Sequence, residues 1–237
     1  MNNTFLDDVF TGCLDALMGI QSSFIAIKSD LFWAFLETVY LTVIPTITSV
    51  IIGFALAVLM IITGPAGLHP KPRVYAFLDV AVNLLRSTPF IILIIAIVPI
   101  TRFVMGTSIG TTATLFPLTV AAAPFAARLI EGCFLEVDHG VIEAARSFGA
   151  NRWQIIMKVM LPEAMPSIVL NIAVLAIALL GYSAMAGAVG GGGLGDLAYR
   201  DGYVGFRFDV TLWCIIALII QAQAIQSLGN WLYRRLR

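Results

Sequence analysis

The chain has 237 residues, of which 59% are hydrophobic and only 12% are charged. Soluble domains carry about 25% charged residues, so this sequence has too little polar surface to cover itself in water, and a lipid bilayer is the solvent its composition demands. Fourteen basic and fourteen acidic residues cancel, which leaves no basic stripe for a nucleic-acid partner. The three scattered cysteines, Cys13, Cys133 and Cys214, show no CxxC spacing and argue against a disulfide framework or a metal site.

Residues 1–32 lack the positive n-region and compact apolar core of a cleaved leader. Asp7, Asp8, Asp15 and Asp30 against Lys28 make the stretch acidic, and it reads as an amphipathic or loosely ordered extension of a membrane domain over 33–237. A spanning helix needs about 20 mostly apolar residues, and five blocks qualify: 38–63, 88–106, 109–130, 164–189 and 210–232. Spanning strands would show alternating segments of roughly ten residues instead. The expected fold is therefore all-α, a polytopic membrane protein with five transmembrane helices. Ahead of the second block, Val74 to Arg86 holds Asp79, Asn83 and Arg86. It is too polar for a free span and is expected as an inner-face helix feeding the span at Ser87-Thr88-Pro89. Arg86 is either an intramembrane charge with a function or an arginine snorkelling to headgroups.

Five spans put the termini on opposite sides. With the N-terminus outside, ten basic residues (Lys71, Arg73, Arg86, Arg128, Arg146, Arg152, Lys158, Arg234, Arg235, Arg237) fall on the inner side and four (Lys28, Arg102, Arg200, Arg207) on the outer. The positive-inside rule selects this N-out, C-in arrangement.

The longest inner segment, 138–162, divides into two short helices. Val141, Ala144, Ala145 and Phe148 share one helical face, Gly149 is placed to end that helix in the left-handed region, and Asn151 is placed to cap the next. There Trp153, Ile156, Met157 and Met160 repeat the stripe and Pro162 is expected to stop it. The product is a compact knob, which either lies on the inner leaflet or docks into a protein groove.

Particular residues favour docking. Glu143-Ala144-Ala145-x-x-x-Gly149, nine further residues, and Val159-x-Leu161-Pro162 resemble the EAA signature of type I ABC-importer permeases, with Val159 where isoleucine is commoner. RSTPFIILI, VPITRFVMGTSIG, FPLTVAAAPFAARLIE and LLGYSAMAGAVGGGGLGDLAYRDGYVGF resemble the methionine-importer branch, and the resemblance covers roughly Thr38 to the C-terminus. It implies that Glu143, Ala144, Ala145, Gly149, Leu161 and Pro162 belong to a coupling helix seated in a cytoplasmic ATPase subunit. It also implies a homodimer of permeases, two ATPase subunits carrying the ATP and Mg²⁺, no cofactor in this chain, and an outer solute-binding protein. The expected function is import of an amino acid, D- or L-methionine foremost, across the inner membrane. Import of another amino acid or small organic solute is the alternative.

The run Gly190 to Gly193 with Gly195 is no phosphate loop, because no lysine follows it as GxxxxGK[ST] requires; a flexible or tightly packed outer turn facing the delivering protein fits better. Tyr182, Ser183 and Met185 lie among the small residues Gly181, Ala184, Ala186 and Gly187, a pattern for close helix packing at a dimer interface. They are also the candidates for lining a solute pathway. His69 and His139 stand near no nucleophile motif, so a membrane enzyme has no support. An ion-coupled secondary transporter would show paired repeats and acidic midplane sites, which the span interiors lack.

Overall fold

The computed structural model describes the backbone of residues 3–65 and 67–236, and side chains at residue 25 and over 27–236 apart from 66; the side chain of Cys13 lies outside these. Helix α1, Asn3–Thr63, passes the 32/33 boundary without a break, and its segment from Ile27 is a 37-residue apolar span. Lipid supplies no partner for a buried hydroxyl. Accordingly, Thr38, Thr42 and Thr46 donate to the carbonyls four residues back, at 2.9, 2.8 and 2.6 Å.

Helix α5, Thr111–Leu135, packs along α1. Apolar side chains gain little by leaving hydrocarbon for one another, so helix pairing in lipid relies on close fit and polar contacts. Gly53 of α1 supplies the fit: a Cβ there would stand 2.6 Å from Ala126 Cβ and 2.8 Å from the Ala127 amide nitrogen. Nearby, the Thr48 and Thr119 hydroxyls meet at 2.9 Å and Ser49 Oγ donates to Thr119 O at 3.3 Å.

The stretch between α1 and α5 is broken. Helix α2, Pro72–Ser87, bends by 102° into α3, Phe90–Ala96. Pro89 has no amide to donate and pushes Thr88 into an extended conformation (ψ 123°), while Ser87 Oγ and Thr88 Oγ1 take up the Leu84 carbonyl at 2.9 and 3.1 Å. A second break at Ile97, ahead of Pro99, separates α3 from α4, Val98–Met105. The expected 88–106 helix is thus two short ones, and among the described residues four long apolar helices stand beside one broken element.

Charge fixes α2 to the bundle. Arg128 of α5 pairs with Asp79 of α2 and, at 2.7 Å, with Glu131, and Tyr75 of α2 donates to Glu131 at 3.2 Å. Glu131 is 4% exposed whereas the Asp79 side chain is 36% exposed, so the latch is buried at its Glu131 end and partly open at Asp79. The sequence reading gave Arg128 only an inner-side location. Its i, i+3 partner Glu131, within an otherwise apolar run, was the available signal.

After α5 come α6, His139–Ser147, α7, Arg152–Ile155, a π-helical turn, Ile156–Met160, and α8, Leu161–Gly187. Pro162 does not stop the helix, contrary to the sequence expectation: Arg152 to Gly187 is continuous. A proline clashes with the carbonyl four residues earlier, here Lys158, and the wide π turn ending at Met160 provides the extra room. Helix α9, Gly193–Leu197, a second π-helical turn, Ala198–Val204, and α10, Phe208–Leu236, complete the chain.

The glycine run is a packed turn. Cβ atoms at Gly187 and Gly195 would stand 2.2 Å from Asp196 N and 2.3 Å from Ala184 O, so α8 and α9 touch backbone to backbone. The start of α9 is pinned to α1, Gly193 N–H donating to Glu37 at 2.7 Å and Leu194 N–H to Thr38 at 2.8 Å.

Gly187→Ala is therefore expected to destabilise the protein by about 1–3 kcal/mol or more. Gly132→Ala, at a helical glycine with nothing within 4 Å, is expected to be neutral or stabilising; thermal unfolding in detergent compares the two. Arg128→Gln leaves two carboxylates without their cation and is expected to cost about 3 kcal/mol. In that variant, proteolysis should open the chain first around α2, and wild-type melting would contradict the latch.

Candidate functional site

The segment 138–162 forms a knob at the end of the bundle opposite the glycine run. Asp138 caps α6, accepting from Gly140 N–H at 2.6 Å. At the other end Gly149 adopts φ +81°, Gly149 N–H donates to Arg146 O at 2.9 Å and Ala150 N–H to Ala145 O at 3.1 Å. This is the double bond pattern of a Schellman cap. Two residues later Asn151 opens α7 with a complete capping box: Gln154 N–H donates to Asn151 Oδ1 at 2.9 Å, and Asn151 N–H to Gln154 Oε1 at 2.8 Å. A cap of this kind is worth about 1 kcal/mol, so the turn between α6 and α7 is held at both edges.

The knob is rooted in a core that joins Ala57, Val58 and Ile61 of α1, Ile130 and Phe134 of α5, Ile155 of α7, Ile156 and Met160 of the π turn, and Ile168 of α8. Helix α6 enters this core through Ile142, burial of which contributes about 2 kcal/mol. The stripe Val141, Ala144 and Phe148 points the other way: Val141 is 45% and Phe148 91% exposed, Ala144 is exposed, and Ala145 is half-buried. Of the second stripe, Ile156 and Met160 are buried and Trp153 is exposed.

Six residues were expected to couple, and the structure brings four of them together. Glu143 and Ala144 lie exposed on α6, Ala145 borders the core, and Gly149 forms the cap. Leu161 and Pro162 lie at the start of α8, after the π turn; Leu161 packs against the same core as Ala145 and Pro162 is exposed. Beneath α6, Glu143, Arg146 and His139 line a cavity of about 270 Å³ that reaches Tyr75 and Glu131 of the polar latch. His69 of the α1–α2 loop meets Arg152 of α7 at 3.4 Å. The sequence reading missed that this loop and α2 border the knob.

The pathway candidates separate. Tyr182 is half-buried and stacks on Phe90 of α3 with ring centroids 4.7 Å apart. Ser183 is buried, its hydroxyl donating to Leu180 O at 2.8 Å. Met185 is 51% exposed, on an open face of α8 shared with Gly181 and Ala188.

Comparison with known proteins agrees with this architecture. Residues 61–237 match the family described as binding-protein-dependent transport system inner membrane component. The probable D-methionine transport system permease protein MetI of Vibrio cholerae is 45% identical over 213 residues, 89% of this chain and 94% of that one. The methionine import system permease protein MetP of Bacillus subtilis is 45% identical over 172 residues, 73% of this chain and 78% of that one. A structure described as an inward-facing conformation of the MetNI methionine ABC transporter matches with a TM-score of 0.86 at 40% identity, covering 91% of this chain and 98% of that one. The chain belongs to the inner-membrane components of binding-protein-dependent transport systems.

Proposed function

We infer that the chain is the permease subunit of an ATP-driven methionine importer, working as two copies with two ATPase subunits on the cytoplasmic side and a solute-binding protein outside. The observation that carries this reading is the knob: an outward apolar stripe, Val141, Ala144 and Phe148, on a short helix capped at both ends and rooted in the bundle by Ile142. A helix displayed in this way suits a groove on a partner protein. Its Glu143, Ala144, Ala145 and Gly149 are the residues of the EAA signature. The relatives named for methionine support the solute.

The N-out, C-in orientation places the knob and Arg234 and Arg235 at the end of α10 inside, and the packed glycine turn outside, facing the delivering protein. Tyr182 and Met185 border the solute path, with Ser183 behind them. The second copy lies along the open face of α8, where Gly181 and Ala188 permit close approach.

Coupling follows from linkage. ATPase closure moves the access equilibrium only as far as the ATP-bound partner prefers one permease state over the other. A knob with a capped turn transmits that preference into the core shared by α1, α5 and α8.

The test is methionine uptake by the reconstituted complex. Glu143→Arg and Gly149→Pro are expected to cut uptake at least about tenfold, since proline cannot reach φ +81° and removes the Gly149 amide from the cap, while membrane insertion is unchanged. Wild-type uptake in both variants, with the ATPase bound normally, would overturn the coupling role.

A further inference from the structure

At the break between α2 and α3, Arg86, Phe90, Ala121, Phe125 and Tyr182 are among the residues that line a half-open cavity of about 150 Å³, with Arg86 itself exposed. A cavity of roughly that volume accepts one benzene molecule, so this one suits the side chain of a single amino acid. Its depth follows from α5: Ala121 and Phe125 flank the midpoint of that 25-residue helix. The cavity therefore lies well inside the membrane-spanning part of the bundle, where a discontinuous helix is a common place for a solute site.

The lining has two kinds of surface. Phe90 and Tyr182 stack face to face with a 9° interplanar angle, and Phe125 presents its ring to the Arg86 guanidinium at 5.6 Å. Among the described residues Arg86 forms no ion pair, whereas Arg128, Arg200 and Arg207 all do. The α2 carboxyl terminus favours a cation but leaves the guanidinium's fork of donors without an anion. A charge at this depth normally has a partner; here the protein supplies only an aromatic face.

Resting on the proposed import of an amino acid, we propose that this cavity is the permease's own solute site. Arg86 binds the α-carboxylate, and Phe90, Phe125 and Tyr182 hold the apolar side chain. A planar guanidinium matches a carboxylate bidentately, and a thioether lies favourably against ring edges. The sequence reading left Arg86 between a functional charge and a snorkelling one; the cavity and the aromatic pair select the former.

The test uses the assembled permease–ATPase complex and photo-methionine, the methionine analogue carrying a diazirine, with adducts mapped by mass spectrometry. Labelling is expected on Phe90, Phe125 or Tyr182, to be displaced by excess methionine and not by methioninol, which lacks the carboxylate. Arg86→Gln should reduce labelling about tenfold to a hundredfold, and Arg86→Lys should restore part of it. Undiminished labelling in Arg86→Gln, displacement by methioninol as effective as by methionine, or displaceable adducts confined to other helices would overturn the site. Should Arg86→Gln fail to assemble, Phe125→Ile gives the second reading: a severalfold weaker methionine displacement curve supports the site and an unchanged one overturns it. Wild-type uptake assayed across amino acids is the separate arm, and its failure for methionine rejects the proposed solute without touching the carboxylate dependence measured at Arg86.

Discussion

The close approach of α1 and α5 at Gly53 is the contact on which the rest of the molecule hangs. In lipid there is little hydrophobic gain from pairing two apolar helices, so a stable pair must fit closely or share hydrogen bonds. Here both occur within two turns, Gly53 against Ala126 and Thr48 and Ser49 against Thr119. This pair aligns Ala57, Val58 and Ile61 with Ile130 and Phe134 below it, and above it holds Thr38 and Glu37 where they receive the amides of α9. Both the core beneath the knob and the start of α9 are therefore held by α1, in the first case together with α5.

Mechanically, the molecule alternates rigid and broken parts. The knob is rigid at its turn, through the Schellman cap and capping box, yet α6 is anchored in the core chiefly by Ile142. Two of the elements that border the cavity of Arg86, α2 and α3, are separated by the break at Thr88-Pro89, and a second break at Ile97 ends α3. The polar latch of Asp79, Arg128, Glu131 and Tyr75 ties the first of these, α2, to α5, and two of its members, Tyr75 and Glu131, line the space under α6. On the proposed coupling role, a displacement of the knob would reach Tyr75 and Glu131 of the latch before the break at Thr88-Pro89.

Much of this was legible in the residues. Uncharged apolar length gave the all-α membrane class, Gly149 and Asn151 announced their caps, and the absence of a lysine after the glycine run removed a phosphate loop. What periodicity could not supply was direction. Val141, Ala144 and Phe148 do share a face, but whether that face points into the core or away depends on Ile142, one position along. Pro162 was misread because proline ends an isolated helix, whereas a π turn lets a packed one continue. The Asp79 side of the latch was illegible for a similar reason: Asp79 and Arg128 are 49 residues apart, and no local pattern pairs them, whereas Arg128 and Glu131 stand three apart on one helix. Arg86 and Tyr182 met the same limit, since only the bend at Thr88-Pro89 carries α3, and with it Phe90, to Tyr182.

The most direct measurement places the photo-crosslinker p-benzoylphenylalanine at two exposed aromatic positions, Phe148 on the knob and Phe206 at the far end, 91% and 94% exposed. In the complex with the ATPase subunits, position 148 should capture an ATPase subunit and position 206 should not. An ATPase adduct at 206, or none at 148 in a complex that still co-purifies, would contradict the knob as the site through which ATP drives transport.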